Sequence, residues 1–146
     1  MNETEKLLIE HACARLVAHY SHHADFGEAE RVAELFAEDA VWEMDEMRFE
    51  GRDTIRAMMR GRQEMQGRRS RHVCTNLGVE VVDADHAIGL VYLTLYRHDF
   101  DGPETEQASV PETRPLAVGQ YRDRFVRTSE GWRFAHRTAE VGFGQL

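Results

Sequence analysis

The spacing of apolar residues changes once along the chain, near residue 71, and this change separates two kinds of secondary structure. Before it, apolar residues recur every three or four positions, as they do on one face of a helix. The pattern predicts three helices with two short strands between the second and the third. The helices are expected over residues 4–23, from about 28 to 37 and from 53 to about 67, and the strands over residues 40–44 and 47–49.

After residue 71 the apolar period becomes two, which is typical of strands. Four long strands are predicted over residues 71–83, 86–98, 115–128 and 132–143. Residues 99–114 are acidic and contain two prolines, so we expect an exposed loop or lid there. Helices followed by an antiparallel meander indicate an α+β fold, and such a sheet can curl around the helices and leave a cavity. We expect one domain over residues 1–146.

Composition and charge narrow the possible functions. The chain has 146 residues, of which 42% are hydrophobic and 30% charged, as in an ordinary soluble domain. A net charge of −8 argues against nucleic-acid or membrane binding. The one basic cluster, within residues 60–71, lacks the aromatic residues that stack on bases; we interpret it as a solvated helix end, with binding of an anionic small molecule as the alternative.

The expected location is the cytoplasm. No apolar run is long enough to span a membrane, and the N-terminal residues do not resemble a signal peptide. Cys13 and Cys74 have no CxxC neighbour, so they define neither a metal site nor a disulfide framework, and both are expected to be buried thiols.

Asp25 and His72 are the best candidates for chemistry. Asp25 lies at the break between the first two predicted helices, and His72 begins a predicted strand. A carboxylate that orients an imidazole in an apolar cavity produces an efficient base. Each residue also has a structural alternative. Asp25 and Glu28 could form a capping box for the second helix, and His72 could be satisfied by neighbouring backbone.

Further polar residues are candidates for binding a substrate. Strict alternation places His72, Cys74 and Asn76 on one strand face, opposite Val73 and the later apolar residues. Tyr20, just before Asp25, and Tyr92 complete the set, although either tyrosine could instead be structural or face solvent. His19, His22 and His23 do not have zinc-site spacing, and we expect them to complement the helix dipole rather than bind a metal.

The ordered set of motifs resembles the SnoaL-like branch of the nuclear transport factor two-like superfamily. The motifs are Leu35–Trp42, Phe49–Ile55, Arg71–Leu77, Gly119–Asp123 and Gly131–Phe134, with Tyr20 and Asp25 before them. The resemblance implies an α+β cone, in which three N-terminal helices pack in a strongly curved antiparallel sheet around an apolar pocket. Relatives include scytalone dehydratase, ketosteroid isomerase, polyketide cyclases and lindane dehydrochlorinase, as well as non-catalytic proteins.

The resemblance also implies a site and a reaction class. Asp25 and His72 match the proton-abstracting dyad of lindane dehydrochlorinase, although that enzyme's site lysine has no counterpart identified here. The implied activity is a lyase or isomerase that needs no cofactor and no metal and acts on a small, largely apolar or aromatic molecule. The alternative is a ligand-binding or accessory protein that keeps the pocket. A homodimer or larger homo-oligomer is expected, formed through the outer face of the sheet.

Overall fold

Two α-helices, two 3-10 segments and six strands make up the structure, a computed structural model that describes residues 1–146. The α-helices are α1, Glu3–Asp25, and α2, Arg52–Gln63, and the 3-10 segments are Ala29–Leu35 and Glu104–Glu106. The strands are β1 Phe36–Met44, β2 Met47–Glu50, β3 Arg68–Val81, β4 His86–Asp99, β5 Ala117–Thr128 and β6 Gly131–Gly144.

Helix α1 runs along the concave side of the sheet. Asn2 and Glu5 form a capping box at its start, in which each side chain accepts a hydrogen bond from the other residue's backbone N–H. Its buried side includes Cys13, Val17 and Tyr20, which pack into the main core. None of the helices is long and apolar enough to cross a membrane.

The six strands form one curved, open sheet in the order β2-β1-β6-β5-β4-β3. The α+β class with helices packed against a curved sheet is therefore confirmed. The sheet is mixed rather than wholly antiparallel, because β1 pairs with β6 in parallel while every other neighbouring pair is antiparallel. Parallel pairing needs a long connection, and here β2, α2 and the strands β3 to β5 lie between β1 and β6 in the chain.

The second predicted helix is shorter than its apolar pattern suggested. It forms the 3-10 segment Ala29–Leu35, and β1 begins at Phe36 instead of at residue 40. Val32 and Ala33 are fully buried, so tertiary packing holds the segment despite the poor hydrogen-bond geometry of a 3-10 helix.

A bulge in β3 sets which of its side chains face the helices. The register with β4 shifts between Thr75 and Gly78, and Asn76 has the positive φ of 56° that asparagine tolerates better than most residues. The extra residue reverses the alternation. Leu77 and Val79 therefore pack against the core, on the same side as Cys74, whereas strict alternation predicted the opposite face.

Candidate active site

Asp25 is the last residue of α1 and points toward the start of β3. Its Oδ1 accepts hydrogen bonds from the Ser70 hydroxyl, at 2.8 Å, and from Nδ1 of His72, at 2.6 Å. Its Oδ2 accepts from the backbone N–H of His72 at 2.8 Å. The carboxylate is thus held by three donors from one strand, which fixes its position relative to the imidazole.

The capping alternative for Asp25 is wrong in this structure. Helix α1 extends through Asp25, and the next segment begins after Glu28, which makes no side-chain capping hydrogen bond. Both Asp25 oxygens are directed to β3 instead. Contacts between residues distant in sequence outcompete the local cap, because Ser70 and His72 offer a buried carboxylate hydrogen bonds to both of its oxygens.

The surroundings favour the ionised form of Asp25. Burial alone would raise its pKa, since its side chain is only 5% exposed, but the hydrogen bonds and charge of His72 and the hydroxyl of Ser70 outweigh burial and hold the pKa below its usual range. Arg62 extends the network by donating from Nη2 to the Ser70 oxygen at 2.9 Å.

The hydrogen bond to Asp25 determines the tautomer of a neutral His72 ring. An ionised carboxylate can only accept, so Nδ1 carries the proton and Nε2 keeps a free lone pair. Nε2 has no hydrogen-bond partner within the protein, and the ring lines a partly open cavity. A histidine oriented in this way can accept a proton from a molecule in that cavity.

The cavity has a volume of about 240 Å³, and 12 of its 15 lining residues are hydrophobic. Such a wall suits a small apolar molecule held by a few polar groups. The lining residues are Tyr20, Ala24, Trp42, Met44, Met47, Met58, Met59, Arg62, His72, Leu93, Leu95, Arg97, Tyr121, Ala139 and Leu146.

Tyr20 lies in the cavity wall. Its hydroxyl accepts a hydrogen bond from Nε1 of Trp42 at 3.0 Å, and its ring meets that of His72 edge-on with centroids 6.4 Å apart. Burial raises the pKa of Tyr20, which keeps the hydroxyl protonated. It can therefore donate a hydrogen bond near the base.

Three other predicted binding residues lie outside the cavity. Cys74 faces α1, with its Sγ 3.4 Å from the Ser21 hydroxyl, and burial raises its pKa. Asn76 is exposed in the β3 bulge. Tyr92 is 51% exposed on the outer face of β4. The bulge turns Asn76 outward, and alternation along β4 places Tyr92 on the face opposite the buried Val91 and Leu93, so neither residue lines this cavity.

Sequence analysis missed Ser70, Arg62 and Arg97 as site residues. Ser70 precedes His72 by two positions, so strand alternation could have placed it on the same face. Arg62 belongs to the cluster interpreted above as a solvated helix end, but its side chain lines the cavity. No sequence pattern around Arg97 indicated that it lines the cavity, because its position depends on the pairing of β4 with β3.

Three histidines, His19, His22 and His23, lie near the end of α1. The ring centroid of His19 lies 6.5 Å from that of His22 and 6.1 Å from that of His23. No group of three or more histidine, cysteine, aspartate or glutamate side chains in the structure is arranged to hold a metal ion. His23 instead approaches Glu28, with 3.3 Å between Nδ1 and Oε2.

The chain belongs to the SnoaL-like domain family, whose pattern matches residues 5–138. This confirms the resemblance seen in the sequence. No curated protein matches the chain.

Solved structures show the same fold over almost the whole chain. Rv3472, a protein of unknown function from Mycobacterium tuberculosis, is 26% identical, with a TM-score of 0.76 over 97% of this chain and 76% of its own. A candidate scytalone dehydratase from Novosphingobium aromaticivorans is 21% identical, with a TM-score of 0.80 over 97% and 89%. LinA is 19% identical, with a TM-score of 0.79 over 98% and 92%.

Proposed function

We propose that this protein is a cofactor-independent lyase or isomerase that removes a C–H proton from a small, largely apolar cyclic molecule. The observation that carries the proposal is the 2.6 Å contact between Nδ1 of His72 and Asp25 at the wall of an apolar cavity. Asp25 is the positioning residue, and Nε2 of His72 is the base.

The electrostatics support this assignment. The ionised Asp25 stabilises the imidazolium that forms when His72 accepts a proton. The His72 side chain is 12% exposed, so water screens the pair weakly and the attraction between the two charges remains effective. General-base catalysis of this kind contributes about 10²–10⁴-fold to the rate.

The reaction begins with transfer of a substrate proton to Nε2 of His72. In an elimination, the C–H electron pair becomes the new carbon–carbon double bond, and the leaving group departs with its own bonding pair. A departing hydroxide takes the proton from the imidazolium and leaves as water. In an isomerisation, the imidazolium returns the proton to a different carbon. The Tyr20 hydroxyl, which lies in the same wall, is positioned to hydrogen-bond a substrate oxygen as charge develops.

Two structural neighbours have names in this reaction class, and a third was solved with a bound molecule. Structural neighbours include the candidate scytalone dehydratase and a hexachlorocyclohexane dehydrochlorinase, the second at 17% identity. A further neighbour, from Catenulispora acidiphila, was solved in complex with the small molecule S-DNPA. The names of the first two suggest the first compounds to test, namely scytalone and halogenated cyclohexanes.

The experiment is a proton-transfer screen with purified protein. Aromatic polyketides, steroids and halogenated cyclic compounds are incubated with the protein in D₂O, and NMR follows loss of a C–H signal or of a leaving group. We expect one class to react with the wild type and not with His72→Ala. A compound that binds in the cavity and reacts equally with both proteins would contradict a base role for His72. Binding without any reaction would support the non-catalytic alternative.

A further inference from the structure

Two arginines line the cavity beside the Asp25–His72 pair, and their positions follow from strand pairing. On the inner faces of β3 and β4, Ser70 lies opposite Arg97 and His72 lies opposite Leu95. Arg97 is therefore the diagonal neighbour of His72, a relationship that separates the two residues by about 7–8 Å. Arg62 reaches the same region from the end of α2.

Three arginines near this wall differ in their hydrogen-bond partners. Arg62 is linked to Asp25 through the Ser70 hydroxyl. Arg68 makes two hydrogen bonds to Asp99, at 2.8 and 3.0 Å. Arg97 has no ion-pair partner, and its buried Nε has no hydrogen-bond partner.

A half-buried guanidinium without a partner is costly, because it has lost part of its hydration and gained nothing in exchange. Burial, together with the neighbouring charges of Arg68 and Arg62, lowers the pKa of Arg97 from its ordinary value. Arginine nevertheless stays protonated in proteins. Arg97 therefore presents a permanent positive charge to a mostly apolar cavity.

Arg97 is also accessible from a second direction. It lines an open cleft together with residues of the loop before β5, among them Leu116 and the oppositely charged Glu112 and Arg114. A charged group can thus remain close to solvent at Arg97 while the rest of a molecule occupies the apolar cavity. Such an arrangement avoids complete desolvation of the anion.

We propose that the substrate carries a carboxylate, which Arg97 binds through paired hydrogen bonds, with its apolar ring in the cavity beside His72. Arginine's planar fork matches a carboxylate and orients it as well as binding it. The role of His72 as the base rests on the proposed function, whereas the preference for an acid is a property of binding and can be measured separately.

The test uses two probes of the same shape, 2-naphthoate and its uncharged carboxamide, 2-naphthamide. Isothermal titration calorimetry near neutral pH measures the Kd of each for the full chain. We expect the wild type to bind the acid at least about tenfold more tightly, as a charge-assisted pair predicts. Arg97→Gln should remove this preference. Arg97→Lys should keep part of it, because the charge remains while the planar fork is lost.

Two controls isolate the effect. Arg122→Gln removes an arginine that pairs with Glu140 outside the cavity, at 2.7 Å, and should leave the preference unchanged. His72→Ala should also retain it. Equal affinity of the two probes for the wild type, failure of both to bind, or survival of the preference in Arg97→Gln would overturn the proposal. If the wild type prefers the acid but His72→Ala does not change the reaction rate, only the proposed function is rejected.

Discussion

Two histidine–carboxylate pairs of nearly equal length lie on opposite faces of the sheet. His72 and Asp25 are 2.6 Å apart on the concave face, and His136 and Glu43 are 2.7 Å apart on the outer face. Both histidine side chains are mostly buried, at 12% and 16% exposure. Distance and burial therefore do not distinguish them.

The remaining nitrogen of each ring does distinguish them. Nδ1 of His136 accepts a hydrogen bond from Arg124 at 2.9 Å, since a guanidinium can only donate, and its Nε2 then donates to Glu43. Both nitrogens of His136 are occupied. His72 has one free nitrogen facing an apolar cavity. Glu43 and His136 also line a pocket, on the outer face, so a place for a ligand does not separate the two pairs. A base requires a free lone pair, and only the inner pair has one.

Replacement of each histidine should produce the largest difference between the two faces. With a substrate from the screen, we expect His72→Gln to lower kcat by about 10²–10⁴-fold, because the general base is lost. His136→Gln should leave kcat near the wild-type value. Circular dichroism checks that both variants are folded. Similar losses of kcat in both would show that the inner pair has no special role.

Replacement of the two carboxylates should change the acid dependence of the unfolding free energy more on the inner face than on the outer face. The pKa of Asp25 is lowered on folding, so its stabilising contribution is complete above the ordinary value of 3.8 and disappears as the pH falls through the folded-state pKa. Asp25→Asn should therefore flatten the fall in unfolding free energy on acidification, measured by urea unfolding at several pH values.

Glu43→Gln provides the matched control for Asp25→Asn. The hydrogen bonds from His136 and Arg48 also lower the pKa of Glu43, but its side chain is 27% exposed and water screens its interactions more strongly. We expect a smaller change in the acid dependence than for Asp25→Asn. The reverse order would contradict the view that Asp25 is the better-enclosed carboxylate.

Loss of a single hydroxyl should lower the unfolding free energy more on the inner face than on the outer face. Tyr20→Phe leaves the buried indole N–H of Trp42 without its acceptor and should cost about 1–3 kcal/mol of unfolding free energy. Thr138→Val removes a longer contact to Glu43, of 3.3 Å, and should change stability by no more than about 0.5 kcal/mol. Urea denaturation of both variants measures the difference.

The outer face should matter for assembly rather than for chemistry. Val73, Ile88 and Tyr92 expose apolar side chains there, and we expect this surface to pair with a second copy of the chain. Ile88→Glu should shift the mass measured by light scattering toward the 16.8 kDa monomer while leaving the Asp25–His72 site intact. A wild-type monomer at micromolar concentration would contradict this expectation.

The sequence by itself determined the elements and the two central residues of the site. Apolar periodicity located α1, α2 and the four long strands, since side-chain period reflects local backbone geometry. Asp25 was recognisable at a helix break and His72 at the start of a strand. Their contact, across 47 positions of the chain, could be expected only from the family resemblance.

Tertiary structure decided the rest. The bulge in β3 depends on the register with β4, so local alternation could not predict that Asn76 turns outward and Leu77 inward. Asp25 does not cap the next helical segment but accepts hydrogen bonds from β3, because both oxygens of a buried carboxylate need hydrogen-bond donors. The ion-pair partners of the arginines also depend on tertiary structure. Arg68 pairs with Asp99 on the neighbouring strand, whereas Arg97 lines the cavity without an ion-pair partner.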